Sequence, residues 1–534
     1  MKRLLYLLPI LLMLASCKKF LDTKPTDNNS PVNYYSTEAE LNTALAGVYD
    51  PLGTEDLYGN NVITFIDACT DESYYARSAQ TTGTQVFNYD FSDPQILMHW
   101  RILYQGIERA NLLIANIGKP SMDETMRKQI LAQTQFLRGF YYFQLVSNYG
   151  DVPLRTTPST SVNDVEIART PTKDVYAQIL KDMTEAEANL PASSAIGNPS
   201  RISKTIAQGV LARVCLFMAG SPLNDATKNA EALAWTQKVV ASNEHSLKET
   251  FNASLTNTAF SQIFINHTQD IYEIRECMWE AEFSGNRTDA YQEAGRVGNT
   301  NGIAFAPATN FEDTGYCYGF ISTTARLYKL YNAADLRRDW AIAPYSYNNA
   351  TFARNYFTAT QIYNRNAGKW RRSYELLKPK NKNFTPTNFP LLRYADVLLM
   401  LAEAENQVNG PTAVAYDAIN RVRRRGYGLP SGTISAVADL PAGLSKTLFQ
   451  QAIQDERSRE LCFEGLRRSD LIRWGIFVTT MNSVGNEIAA DPLAGTTFAY
   501  AARGGRNVSP RHLLFPIPAA EISVNKKMTQ NPGW

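Results

Sequence analysis

Histidine is scarce in this chain, with four residues in 534. His99, His245, His267 and His512 are widely separated, none pairs with another at i+4, and none sits in an H-E-x-x-H motif. The sequence therefore offers no histidine-based metal or acyl-transfer signature. Cysteine is equally sparse, with six residues and no C-x-x-C pair, which leaves zinc and dithiol redox motifs unsupported. Cys215 and Cys462 fall inside helical patterns and read as buried thiols. Charge of either sign is not in excess: the formal net charge is +2, with neither a long basic stretch nor an acidic tail. A nucleic-acid partner is not expected. The tightest basic run, Arg423-Arg424-Arg425, reads as a helix C-terminus stopped by Gly426. No metal or other cofactor is expected.

Aromatic side chains are plentiful, with 28 Tyr against 24 Phe and 7 Trp. Tyrosine joins an apolar face to a polar tip, which suits a wet surface that must grip a ligand.

The N-terminus carries a targeting pattern. Lys2 and Arg3 precede an apolar run from Leu4 to Leu14, followed by Leu14-Ala15-Ser16-Cys17. The run is shorter than the roughly 20 residues a spanning helix needs. It reads as a secretion signal. Leu-Ala-Ser-Cys resembles the lipobox of bacterial lipoproteins, which implies cleavage before Cys17 and acylation of its thiol and new amine. Several acyl chains hold a soluble domain to a bilayer far better than one.

The remainder reads as mainly α. Thr37 is placed as the cap of a helix running to about Tyr49. Helices are expected over 96–117 and 122–148, the second with Met126, Ile130, Leu137, Tyr141 and Leu145 on one face. Thr170 is the expected cap of another, with Pro171 in its first turn and a stripe of Val175, Ile179, Met183, Ala186 and Leu190. Further helices are expected over 203–219, 227–242, about 322–333, 390–409, 412–425 and 444–470. Helix pairs of this length suggest a tetratricopeptide-like scaffold with long irregular loops and a few short strands. Residues 1–16 form the signal segment, 17–36 a tether, and 37–534 a single domain. Its helix pairs lie in 96–243 and 390–474, and its loop-rich, ligand-binding regions in 59–95 and 244–389. Long loops in a compact protein are commonly functional.

Several segments resemble the SusD/RagB family of surface nutrient-binding lipoproteins. Lys19-Phe20-Leu21-Asp22 follows the lipobox; Trp100-x-x-Leu103-Tyr104-x-x-Ile107-x-x-Ala110-Asn111 and Phe136-Leu137-Arg138-Gly139 come next. The fullest match is Leu392-Arg393-Tyr394-Ala395-Asp396-Val397-Leu398-Leu399-Met400-Leu401-Ala402-Glu403-Ala404. Ile419-Asn420-x-Val422-Arg423, Glu456-Arg457-x-x-Glu460-x-x-Phe463-Glu464-Gly465 and Asp470-Leu471-x-Arg473-Trp474-Gly475 follow in order. The chain closes on Phe515-Pro516-Ile517-Pro518, Glu521-Ile522 and Gln530-Asn531-Pro532-Gly533-Trp534. The resemblance implies a SusD-like domain that binds an oligosaccharide or polysaccharide without cutting it. It also implies a TonB-dependent outer-membrane transporter as partner, and a lipid-anchored place on the outer membrane facing the exterior.

Candidate ligand contacts are the loop residues Asp71, Tyr74, Tyr75, Tyr89 and Phe91, then Tyr291, Asn299, Tyr316 and Tyr318. Sugar rings present an apolar C–H face and a hydroxyl rim, which aromatic faces and Asp or Asn side chains complement. In glycan-binding relatives an aromatic precedes the Trp-x-x-Leu-Tyr helix, where Tyr89 and Phe91 stand here, and another follows the central strand, nearest to Tyr291. Neither place holds a tryptophan, which leaves a peptide-binding member of the family as an alternative.

Glu456 and Glu460, four apart on one helix, raise a third reading as a surface glycosidase. The many neighbouring arginines favour instead a structural role as buried ion-pair partners. Arg393, Asp396 and Glu403 are likewise expected to join helices, and Trp100, Tyr104 and Trp474 to pack the core. The anchor yields the first prediction: Cys17→Ala releases the protein from the membrane fraction, and persistence of the monomeric variant in washed membranes would remove the lipid tether.

Overall fold

The computed structural model describes residues 34–161, 165–288 and 293–534, so Cys17, most of the tether and Tyr291 lie outside the described residues. Helix α1 (Glu38–Gly53) opens the fold. The Thr37 hydroxyl accepts from the Glu40 amide at 3.2 Å, and the Glu40 carboxylate accepts from the Thr37 amide at 3.0 Å. This reciprocal cap satisfies two amides that a helix start otherwise leaves without partners. In α2 (Pro94–Asn116) the Asp93 carboxylate caps the Gln95 amide at 2.9 Å and Pro94 fills the first turn.

Helix α3 (Glu124–Tyr149) buries Ile130, Leu137, Tyr141 and Leu145, while Met126 at its open end is exposed. Helix α4 (Thr172–Asn189) buries the expected stripe, but Thr170 does not cap it. Pro171 occupies the cap position, and the Asp151 carboxylate accepts from both the amide and the hydroxyl of Thr172 at 2.7 Å. A carboxylate at a helix start also complements the dipole. Helices α5 (Lys204–Ala219) and α6 (Lys228–Ala241) follow.

Each of these helices packs on its neighbour in sequence, the arrangement of a helix-pair scaffold. Residues 244–389 then leave the row. The row resumes with α9 (Tyr394–Asn409), which packs directly on α6, and continues through α10 (Ala413–Gly426) and α11 (Lys446–Leu461).

The excursion carries α7 (Ala259–Thr268) and α8 (Ala325–Leu330), and its strands, together with Ser73–Tyr75 and Phe389–Arg393, form three antiparallel pairs. Strand β1 (Ser73–Tyr75) pairs with β3 (Ile321–Thr323), β2 (Cys277–Ala281) with β6 (Phe389–Arg393), and β4 (Tyr345–Tyr347) with β5 (Arg354–Tyr356). Helix α7 is buried on every side, so it shows no amphipathic period, which is why the sequence pattern misses it.

The structure alters three other expected elements. The helix anticipated over 322–333 divides into β3 and α8, with Thr324 capping Leu327 at 3.3 Å. The one anticipated from 390 begins only at Tyr394, because Phe389–Arg393 is a fully buried strand whose continuous apolar run lacks a period. The one anticipated over 444–470 breaks after Leu461 and resumes as α12 (Arg467–Arg473). Phe463 and Gly465 take φ of +65° and +71° in the break, a conformation glycine adopts without a side-chain clash. No helix among the described residues is long and apolar enough to cross a membrane.

Buried charge ties the excursion to the row. The Glu460 carboxylate meets Arg425 at 2.5 Å, Arg393 at 2.8 Å and Arg337 at 3.0 Å, with no solvent exposure. Arg393 and Arg425 both reach Glu276 of the excursion, at 3.0 and 2.8 Å. Glu456 binds Arg337 at 2.7 Å, Arg459 at 2.9 Å and Arg423 at 3.0 Å. Lys369 closes on Glu464 at 2.5 Å, and Glu464 also meets Arg393 at 2.8 Å. The expected structural roles are therefore met. Asp396 lies between Arg213 and Arg457, both at 2.6 Å, and Glu403 accepts from Arg473 at 2.5 Å and from the Trp474 indole at 2.7 Å. Trp100 is buried and Tyr104 partly buried against the core. Cys215 and Cys462 are buried thiols, as anticipated.

Two outcomes follow from this network. Glu460→Ala strips three buried guanidinium groups of a shared acceptor and is expected to cost about 3–5 kcal/mol, read from urea unfolding. Burial alone would raise the Asp396 pKa, but Arg457 and then Arg213 outweigh it and hold the carboxyl at about 2. A depressed native pKa gives stability that is full above the ordinary value of 3.8 and is lost as pH falls toward 2. Acid titration by circular dichroism should place part of the loss in that window, and Asp396→Asn should abolish that part.

Candidate functional site

Residues 316–320 lead into β3 and alternate between half-buried and buried positions. Cys317 and Gly319 point inward and are buried, whereas Tyr316, Tyr318 and Phe320 are half-exposed on the other side. Cys317 exchanges two backbone hydrogen bonds with Phe305 at 2.8 and 2.9 Å. Tyr318 and Phe320 donate their amides to the carbonyls of Asn299 and Thr300 at 2.8 and 2.7 Å. Gly319 is required here: its φ is +60°, and a Cβ would lie 2.6 Å from that of Ala304.

The outward rings form a row. Phe311 and Tyr316 have centroids 5.8 Å apart, Tyr316 and Tyr318 5.0 Å, and Tyr318 and Phe320 5.1 Å. Phe320 then stacks on Tyr75, the last residue of β1, at 5.4 Å. Polar groups line this ledge. The Arg77 guanidinium sits 4.7 Å from the Phe320 centroid, the Lys382 ammonium sits 4.9 Å from Tyr316, and the Tyr318 hydroxyl donates to the Asn383 side chain at 2.9 Å. Burial pushes the Tyr75 phenol up to about 12.

Two buried side chains hold the ledge from beneath. The Asn299 amide donates to the carbonyls of Tyr316 at 2.8 Å and Lys382 at 2.9 Å. Arg372 donates to the same Tyr316 carbonyl at 2.6 Å and pairs with Glu375 at 2.6 Å.

The structure thus brings Tyr75, Tyr316 and Tyr318 together and separates the other candidates. Asn299 is fully buried and holds the ledge from beneath. Asp71 is buried against Arg467 at 2.8 Å, an ion pair that fixes the start of β1. Tyr74 is turned inward by strand alternation, 1 % exposed, with its hydroxyl on the Tyr363 carbonyl. Tyr89 is buried and stacked on Trp534 at 4.9 Å, so it secures the C-terminus. Phe91 is 46 % exposed, but its carbonyl accepts from Ala519 at 2.8 Å, which sets it beside the C-terminal segment. Tyr291 lies outside the described residues.

Phe311 and Phe320 were not among the sequence candidates. The period-two pattern Tyr316-x-Tyr318-x-Phe320 is the signal that marks the latter. A concavity of about 1010 Å³ lies elsewhere, between α1 and the segments around Arg201 and Glu282. None of the described sequence candidates lines it. The ledge contains no metal-capable group; the one such cluster among the described residues, His267 with Cys277 and Glu280, belongs to α7 and β2. Glu456 and Glu460 are wholly buried in ion pairs and face neither surface.

Comparison with known proteins agrees with this architecture. Residues 275–534 match the family described as the SusD family, and residues 19–216 match one described as starch-binding associating with outer membrane. A SusD-like protein of Formosa agariphila is 25 % identical, across 97 % of this chain and 95 % of its own. The starch-binding protein SusD of Bacteroides thetaiotaomicron is 24 % identical, across 87 % of this chain and 84 % of its own. A solved SusD homologue of the same bacterium superposes with a TM-score of 0.84 at 28 % identity, covering 94 % of this chain and 98 % of that one. With both sequence matches in collinear order on this helical scaffold, the chain belongs to the SusD/RagB family.

Proposed function

We propose that this chain is a non-catalytic binding protein for oligosaccharides or polysaccharides, with the ring row from Tyr75 to Phe311 as its ligand surface. The observation that carries this reading is the ledge itself: the half-buried rings of Phe311, Tyr316, Tyr318 and Phe320, about one sugar ring apart, backed by the buried Tyr75 and bordered by Arg77, Lys382 and Asn383. Apolar ring surface suits the C–H face of a sugar, and the border groups suit its hydroxyls. Family membership and the starch-binding relative support the same ligand class. The burial of Glu456 and Glu460 supports capture without cleavage.

Cys17, acylated after signal removal, tethers the protein to the outer membrane on its external face. There the chain passes its ligand to a TonB-dependent transporter. The single-domain organisation over 37–534 fits this role, with the helix row as support and the excursion as ligand surface.

A shallow, solvated surface binds weakly, on the order of micromolar to millimolar. Calorimetry against α-glucan, β-glucan, plant and host oligosaccharides tests the reading, and silence across that panel with folded protein would overturn it. Prolonged incubation with the best ligand should generate no new reducing ends. Tyr318→Ala should weaken binding about tenfold, the scale of one aromatic contact, with the melting temperature unchanged. Unchanged affinity in that variant would place the ligand off the ledge.

A further inference from the structure

The histidines and cysteines that show no metal spacing in sequence converge in space at one point. His267, next to last in α7, directs Nε2 to within 3.2 Å of the Cys277 Sγ and 3.6 Å of the Glu280 Oε2. The thiol and the carboxylate oxygen are themselves 3.4 Å apart. All three side chains are buried. Zinc takes sulfur at about 2.3 Å and nitrogen or oxygen at about 2.0–2.1 Å, which sets the edges of its tetrahedron at about 3.3–3.6 Å. The separations found here, 3.2 to 3.6 Å, lie within a few tenths of an ångström of such edges.

A strand would normally send residues three apart to opposite faces. Strand β2 escapes this through an irregular register. Cys277 lies opposite Arg393 and Trp279 opposite Leu392, so Met278 is an extra residue on this strand. Such bulges re-aim side chains. The bulge brings Cys277 and Glu280 to one side, where α7 supplies the imidazole.

Glu280 also breaks the rule that governs the nearby core carboxylates. Glu276, Glu456, Glu460 and Glu464 each meet an arginine or lysine, whereas the groups around Glu280 are a thiol, an imidazole and the Asn388 amide. A buried carboxylate without a cation is costly. Asn388 orients the cluster: its amide donates to the other Glu280 oxygen at 3.1 Å, and its backbone amide donates to the His267 carbonyl at 3.1 Å. Its own side-chain oxygen accepts from Phe283 at 2.9 Å, which fixes which way the amide faces. Such outer-shell bonds hold ligands in place at metal sites. Glu280 also borders the cleft of about 1010 Å³.

We propose that His267 Nε2, Cys277 Sγ and Glu280 Oε2 bind one zinc-class divalent cation. A thiolate and an imidazole select zinc over calcium or magnesium, which take oxygen ligands. Binding forms a metal–sulfur bond and releases the Cys277 proton to solvent, so affinity rises with pH. The cation strengthens the junction between α7 and β2, and its role is structural.

Cobalt(II) titration of chelator-stripped protein tests this. The expected result is a thiolate-to-cobalt charge-transfer band that saturates at one equivalent and is bleached by zinc. Folded wild-type protein without that band would overturn the site. Cys277→Ser should abolish the band although Cys69, Cys215, Cys317 and Cys462 remain, and a band that survives would assign the metal elsewhere. Glu280→Gln keeps the side-chain volume and should weaken cobalt binding at least about tenfold, since even outer-shell changes have effects of that size. Unchanged affinity there would remove the carboxylate from the ligand set. The readout is independent of glycan binding.

Discussion

Glu460 holds three arginines that come from three different parts of the chain, and the placement of the excursion rests on that convergence. Arg425 ends α10, Arg393 ends β6, and Arg337 lies in the excursion. Charges this deep have lost their water, so each depends on the geometry of the others. The network behaves as one unit: Glu276 shares two of the same arginines, and Lys369 joins through Glu464. Apolar packing brings the helices together without direction, whereas this cluster fixes the angle and register at which the excursion meets the row.

The ledge inherits that rigidity at second hand. Lys369 and Trp370 are fully buried, and two residues further on Arg372 grips the Tyr316 carbonyl. Asn299 reaches the same carbonyl from the other side. The aromatic row is thus a half-buried surface on a buried polar frame. The His267 cluster lies where α7 meets β2, and Cys277 is the first residue of β2 to pair with β6.

Much of the scaffold was legible from periodicity and caps, because several row helices present one apolar stripe and many begin at Thr, Ser or Asp. Helix α7 and strand β6 escaped for a common reason: burial on all sides erases the period that distinguishes helix from strand. The structural roles of Arg393, Asp396, Glu403, Glu456 and Glu460 were readable from charge in apolar surroundings. The ledge was readable in part. Composition pointed to the right loops, but it could not separate Tyr318, which faces out, from Tyr74 and Tyr89, which pack inward. That distinction belongs to strand alternation and tertiary stacking. The proximity of His267, Cys277 and Glu280 depends on a one-residue bulge, which leaves no mark on composition.

The direct packing of α6 on α9 has a consequence for how such a protein can diversify. It brings the two ends of the 244–389 excursion together within the row, so the excursion closes on a base that the scaffold supplies. Doubling the length of such a closed loop adds only about 0.6 kcal/mol of entropy cost. Segments between the fixed points at Glu276, Arg337 and Lys369 can therefore be exchanged, lengthened or recoded while the helix row remains as it is. One scaffold can in this way carry many ligand specificities, with sequence drift concentrated on the face that meets the ligand.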